Sequence, residues 1–191
     1  MVPARRPGRL RGTALLTVGS TVPGLERLSI LRSRTPSTSP NGIPVNRTPE
    51  AAQVTLQAED AWRITVSGPS GSRDLGLAEL TAMRQTTVVL PIACVEGWSA
   101  SSSWTGVRVS ELMALVGGAS SDVTVESAEK SGGYRATMLP AAYVAQPDSL
   151  LALRIGGQRL PLEHGHPARI IAPNRPGVLQ TKWVRRLEVT A

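Results

Sequence analysis

The sequence predicts an α+β fold in which strands dominate. Three observations carry that expectation. Short segments alternate apolar and polar residues or run through β-branched ones, the helical spacings are few and brief, and nothing repeats or follows a strand–helix–strand rhythm. At 191 residues, 41% of them hydrophobic, the chain is long enough for one core, so disorder throughout is excluded. No run approaches the ~20 apolar residues of a bilayer-spanning helix.

Residues 1–42 read as a leader and linker. The first 35 hold seven arginines (Arg5, Arg6, Arg9, Arg11, Arg27, Arg32 and Arg34) against the single acid Glu26, and their best apolar stretch, Ala14–Val18, is soon interrupted by Gly19, Ser20 and Pro23. Thr35 to Gly42 is rich in Pro, Ser and Asn, the residues that punctuate chains. A basic disordered leader, or the remnant of a membrane region, is expected here, followed by a domain over residues 43–191.

In the domain, Trp62–Val66 alternates like a strand and stops at Gly68-Pro69, while Leu77, Leu80 and Met83 have helical spacing. Thr86 to Ile92 is a β-branched run leading to Cys94. Ser110 is placed to cap a helix through Leu112, Met113, Leu115 and Val116, ended by Gly117-Gly118. Strand-like pieces follow at 123–126, 134–139, 150–155, 168–172 and 182–189, and Gly156-Gly157 signals a hairpin after the third.

Charge narrows the function. The net charge of +7 invites a nucleic-acid reading, but from residue 36 onward 14 basic residues face 13 acidic ones. The basicity belongs to the leader, and no nucleic-acid partner is expected for the domain. The lone Cys94 excludes an internal disulfide, a thiolate-only zinc site and an iron–sulfur ligand set.

Three features can carry chemistry. Cys94 ends an apolar strand beside Gly97, Trp98 and Trp104, where either a buried structural thiol or an active-site loop is at home. Glu163-His164-Gly165-His166-Pro167 holds both histidines, too few ligands for a protein-only metal site. From His164 to Leu187 there are five permanent cations (Arg169, Arg175, Lys182, Arg185 and Arg186) and no carboxylate. Guanidinium forks and an ammonium suit a phosphate-bearing ligand. A soft thiolate and an anion-binding segment fit a metal that arrives on an organic carrier.

In these stretches the chain resembles the sulfite-oxidase-type molybdopterin-binding domain. The resemblance rests on Cys94-Val95-Glu96-Gly97-Trp98-Ser99, on Trp104-x-Gly106 with the helix after it, on His164-Gly165-x-Pro167-x-Arg169, and on Lys182-Trp183, in that order. It covers about four-fifths of the chain, from Ile43 onward. It implies a strand-dominated domain of mixed sheets with short helices, binding molybdenum-molybdopterin and working as an oxidoreductase. Cys94 would be the single protein ligand of molybdenum. His164 and Arg169 would hold the pterin and phosphate region, with Gln180, Thr181 and Lys182 closing over the phosphate. Ser127 and Asn46 fall where bacterial relatives contact the cofactor.

The resemblance also shapes the expected substrate. Sulfite oxidases follow the cysteine with glycine, asparagine and arginine, which supply positive charge for an oxyanion; here Val95, Glu96, Gly97 and Trp98 stand instead. A small sulfoxide-type substrate is therefore expected rather than sulfite. With no haem-binding region in the sequence, electrons are expected to come from a separate electron-transfer protein or membrane subunit. The leader resembles the junction of actinobacterial forms with upstream membrane helices, and a shortened form of such a protein is the expectation. The expected location is extracytoplasmic or membrane-associated if the leader belongs to a longer form, and cytoplasmic otherwise. The alternatives are a cofactor-binding module without turnover, and a nucleophilic enzyme using Cys94 with His164 as base.

Overall fold

A computed structural model describes residues 37–38, 43–55, 57–93 and 97–190. The leader, most of the linker and the Cys94–Glu96 segment lie outside the described residues. A two-residue bridge opens the described chain, β1 (Ser37–Thr38) pairing antiparallel with β2 (Pro44–Val45). None of the described helices is long and apolar enough to cross a membrane.

Two five-stranded sheets build the domain. The first contains β5 (Thr86–Ala93), β6 (Ser99–Arg108), β9 (Leu150–Ile155), β10 (Gln158–Arg159) and β11 (Arg169–Ile171), all antiparallel. β6 lies along one edge of β9, so β11 and β10 share the other, at its start and end respectively. The second runs β4–β3–β12–β7–β8, from β3 (Arg63–Gly68), β4 (Gly71–Gly76), β7 (Val123–Ser127), β8 (Ala136–Leu139) and β12 (Val184–Val189). It is mixed, because β12 runs parallel to β3 and antiparallel to β7. Three short helices fill in: α1 (Leu77–Ala82), α2 (Val109–Ala114) and α3 (Ala141–Val144).

The mixed, strand-dominated architecture matches the expectation. The Gly156-Gly157 signal is a two-residue hairpin between β9 and β10, both glycines at positive φ (58° and 77°), as the primed turns that suit twisted strands require. α2 begins two residues earlier than anticipated. Arg108 is its N-cap, without a side-chain cap bond, and Ser110 sits in the first turn. Two strands had no clear sequence signal, β4 (Gly-Ser-Arg-Asp-Leu-Gly) and the serine-rich β6.

The main core draws Ile64 and Val66 of β3, Val107 of β6, Leu112 and Met113 of α2, Val123 and Val125 of β7, Leu151 of β9, and Val184 and Leu187 of β12 into one cluster, which ties the two sheets together. A second cluster, with Ile43, Ile92, Trp104, Leu150, Ala152 and Ile171, covers the other face of the first sheet. β9 is thus buried on both faces and reads as an almost continuous apolar run, Leu-Leu-Ala-Leu-Arg-Ile. Opposite β6 the register shifts, with Thr105 facing Arg154 but Gly106 facing Ala152. The extra residue, Leu153, bulges the strand and moves Ile155 onto the face of Leu150 and Ala152. Gly106 permits this approach, since a Cβ there would lie 2.0 Å from the Leu151 carbonyl oxygen.

Candidate functional site

A cavity of about 230 Å³ is lined by residues from separate parts of the chain. The segment around β2 gives Pro44, Asn46 and Arg47; β5 and the residues just after the Cys94–Glu96 gap give Ile92 and Trp98. The loop after β7 contributes Glu129, Gly133 and Tyr134, and His164 and Arg169 flank a tight turn. The segment before β12 supplies Gly177, Val178, Gln180, Thr181 and Lys182. Six of the eight residues expected from the sequence therefore meet around one space. Ser127 does not line it, and Cys94 lies outside the described residues.

The turn is a single 3-10 turn, Leu162–His164, closed by Gly165 in the left-handed region (φ 104°). A Cβ on Gly165 would sit 3.0 Å from Cβ of Lys182 and 3.1 Å from Cβ of Arg169. Glycine is thus what lets the turn pack against both cations at once. His164 is 3% exposed. Burial, aided by the nearby Arg169 and Lys182 charges, pushes its pKa down to about 4, against a hydrogen bond with the Ile43 backbone that favours the proton. The imidazole is neutral at physiological pH. His166 goes elsewhere, 3.1 Å from the Glu59 carboxylate, beside a separate small cleft. No cluster of metal-ligating side chains forms among the described residues.

Arg169 opens β11 and is 3% exposed. Its guanidinium donates to the His164 carbonyl (3.1 Å) and the Gln180 carbonyl (3.2 Å), and stands 5.2 Å from the ring centre of Trp104. Its Nε has no partner. Burial pulls its pKa down to about 9, which still leaves a cation at neutral pH. Trp104 is fully buried and fixed by its indole N–H to the Leu90 carbonyl (3.1 Å), so Arg169 rests on an immobile plate.

The neighbouring polar residues are equally constrained. Ile170 N–H donates to the Thr181 carbonyl (2.8 Å), and the Thr181 hydroxyl pairs with that of Thr137 (2.7 Å). Gln180, 2% exposed, donates its amide to the Arg175 carbonyl (2.8 Å), which leaves its Oε1 buried and unpaired. Lys182 Nζ donates to the carbonyls of Arg47 (2.6 Å) and Glu163 (2.9 Å), 4.6 Å from the Trp183 ring centre. Burial, with Arg169 adding repulsion, pushes its pKa down to about 7; Glu129 and Glu163 oppose this.

Ser127, buried at the end of β7, reaches the site through its neighbours. Its hydroxyl donates to the Lys182 carbonyl (2.8 Å) and accepts from the Glu129 N–H (3.1 Å). Arg47 and Glu129, which sequence reasoning did not single out, face each other with Nε and Oε2 3.0 Å apart. This is an ion pair too poorly aligned to count as a hydrogen bond. Arg47 also donates to the Ser131 carbonyl (2.7 Å). Its only advance signal was its place in Pro-Val-Asn-Arg; Glu129 and the half-exposed Tyr134 had none.

Arg169 and Lys182 are thus held by main-chain carbonyls rather than by carboxylates. Such dipoles orient a cation without cancelling its charge, so the cavity keeps positive potential for an anion. Four polar atoms buried without a hydrogen-bond partner belong to its lining residues, three donors (Arg47 Nε, which faces the Glu129 carboxylate, Arg169 Nε and Trp98 Nε1) and one acceptor (Gln180 Oε1). Buried groups of this kind mark places where a ligand completes the hydrogen bonding. A phosphate together with a polar heterocycle, as in molybdopterin, fits that set of donors and acceptors.

Comparison with known proteins agrees with this chemistry. Residues 51–191 match the family described as the oxidoreductase molybdopterin-binding domain. The YedZ1 protein of Azospira oryzae, provisionally described as a protein-methionine-sulfoxide reductase subunit, is 34% identical over 131 residues, 68% of this chain and 49% of that protein. Human mitochondrial sulfite oxidase is 24% identical over 159 residues, 68% of this chain and 29% of its own length. The chain thus spans half or less of these relatives. Among solved structures, the sulfane dehydrogenase SoxCD of Paracoccus pantotrophus shares the fold, with a TM-score of 0.63 and 24% identity over 71% of this chain and 40% of that one. With a match running from residue 51 to the last residue, the chain belongs to the oxidoreductase molybdopterin-binding domain family of sulfite-oxidase type.

Proposed function

We propose that this domain carries out a two-electron oxygen-atom transfer on a small sulfoxide-type substrate, with Cys94 as the protein ligand of molybdenum. The observation that carries the reading is the buried Arg169, whose guanidinium is oriented by two carbonyls and still has a free Nε beside the cavity. The cofactor, when bound, supplies the two-electron oxygen-atom chemistry. This chain's residues do the rest. Arg169 and Lys182 neutralise the phosphate, Gln180 and Thr181 frame it, and neutral His164 and Asn46 contact the pterin side. Ser127 holds the Lys182 and Glu129 main chains in register. Cys94 follows directly on β5, whose Ile92 already reaches the cavity wall.

The choice of a sulfoxide rests on Val95-Glu96-Gly97-Trp98, which brings no cation to the stretch after the cysteine. A neutral S=O group needs a hydrogen-bond donor more than a positive charge. The similarity to a protein described as a methionine-sulfoxide reductase subunit points the same way. Reduction of a sulfoxide takes two electrons and two protons and yields the sulfide and water, so a separate electron-transfer protein or membrane subunit delivers the electrons.

The test is molybdenum analysis of the purified full chain by plasma mass spectrometry, beside methionine-sulfoxide reduction with a reduced viologen dye. About one molybdenum per chain, with turnover lost in Cys94→Ser, is the expected result. Unchanged turnover in that variant would remove Cys94 from the metal. Molybdenum without sulfoxide turnover, but with sulfite oxidation, would overturn the substrate.

A further inference from the structure

Four contacts close a ring beside the cavity. The Ser127 hydroxyl accepts from Glu129 N–H (3.1 Å), and the Glu129 carboxylate faces Arg47 Nε (3.0 Å). The Arg47 carbonyl accepts from Lys182 Nζ (2.6 Å), and the Lys182 carbonyl accepts from the Ser127 hydroxyl (2.8 Å). Arg47 and Glu129 stand far apart in sequence, so only the fold joins them. Glu129 is the one acidic residue among the described lining residues, against the cations Arg47, Arg169 and Lys182. Its side chain is 9% exposed while that of Arg47 is 36% exposed, so the carboxylate sits on the inner side of the pair.

A carboxylate is an unexpected resident of an anion site, because it repels the ligand and occupies one of its partners. It does, however, satisfy Arg47 when no ligand is bound, in a place where burying a like-charged trio would otherwise be costly. We propose that Glu129 is a resident counter-anion: it occupies the Arg47 guanidinium in the ligand-free site, and a phosphate-bearing ligand displaces it and takes Arg47 over. Arg47 thereby becomes a third phosphate partner, available only when Glu129 yields. The exchange lets the cationic site stay folded before loading and sets how tightly the phosphate is held afterwards. This rests on the reading of the cavity as the cofactor's phosphate site.

The test uses the full chain made in a host unable to synthesise the cofactor, with inorganic phosphate as probe and calorimetric titration as readout, at one fixed pH and ionic strength. Glu129→Gln keeps the side-chain shape and the main-chain contact with Ser127 but removes the charge. It is expected to bind phosphate roughly three- to tenfold more tightly than the parent chain, the scale of one partly buried charge pair. Arg47→Met is expected to weaken binding little in the parent chain and at least threefold more in the Glu129→Gln background, because in the parent chain phosphate gains the guanidinium only at the expense of its pair with Glu129. Equal or weaker affinity in Glu129→Gln, or the same Arg47→Met effect in both backgrounds, would overturn the exchange. Lys182→Met separates the two readings. If phosphate binds the parent chain and Lys182→Met abolishes it, the anion site stands whatever Glu129 does. If the parent chain does not bind phosphate, or Lys182→Met binds it as tightly, the anion site itself falls, and the exchange with it.

Discussion

Replacing Lys182 with methionine should stabilise the cofactor-free fold at low pH while removing part of its binding site. The ammonium is held in a buried, cation-rich position that lowers its pKa from 10.5 to about 7. A base whose folded pKa lies below its unfolded value weakens the fold wherever both states are protonated, and the penalty fades as pH rises from about 7 toward 10.5. At 1.36 kcal/mol per unit, the penalty is roughly 5 kcal/mol at pH 6 and roughly 2 kcal/mol at pH 9. Methionine escapes it but leaves the Arg47 and Glu163 carbonyls without their donor, a loss of about 1–2 kcal/mol each. Net stabilisation of about 1–3 kcal/mol at pH 6 follows, turning into destabilisation by pH 9. The carbonyl terms largely cancel between the two pH values. The variant's advantage over the parent chain should therefore shrink by about 3 kcal/mol from pH 6 to pH 9. Urea unfolding of both cofactor-free chains measures this directly. A gap that is the same at both pH values would show that Lys182 is not held at a lowered pKa, and the picture of an under-neutralised site would fail.

Other perturbations probe the supports beneath the site. Gly106→Ala would drive a Cβ to 2.0 Å from the Leu151 carbonyl oxygen and 2.7 Å from Cα of Ala152, both main-chain atoms of β9. Because neither can move alone, a loss of about 3 kcal/mol or more is expected in denaturant unfolding. Trp104→Leu removes a fully buried indole and the plate under Arg169; about 2–4 kcal/mol of stability should go, together with a severalfold loss of phosphate affinity in the cofactor-free chain. Ser127→Ala strips one donor and one acceptor from the buried Lys182–Glu129 junction, so unfolding should show a loss of about 1–3 kcal/mol. Calorimetric titration of that variant should also show weaker phosphate binding, although residue 127 does not line the cavity.

Those supports divide into what could and could not be read from the chain. β3 and β7 were legible because a strand with one buried face writes its period into the sequence, β9 because burial on both faces makes it an almost continuous apolar run, and the Gly156-Gly157 turn because primed turns demand positive φ. β4 and β6 were not. Four of six β4 residues are exposed, so pairing with β3 rather than burial holds it in place. β6 gains its order from neighbours on both edges, a tertiary effect that overrides the weak strand preference of Ser99–Ser103.

The site divides the same way. The cations between His164 and Leu187 announced an anion partner, because five of them without a carboxylate are visible to counting. Counting could not show how they are held. A domain of nearly balanced charge could have paired every arginine with an acid, which would leave a neutral cavity. Instead Arg169 leans on the His164 and Gln180 carbonyls, and Lys182 on those of Arg47 and Glu163. Main-chain carbonyls carry no residue identity, so no pattern of side chains records them. They belong to the tight turn at Gly165 and to the close passage of residues 47 and 182, both consequences of packing. Net positive charge at the cavity is thus a property of the fold more than of the composition. It also explains why Glu129, unremarkable in the sequence, matters where it stands, since one carboxylate among cations held by uncharged groups changes the balance of the whole site.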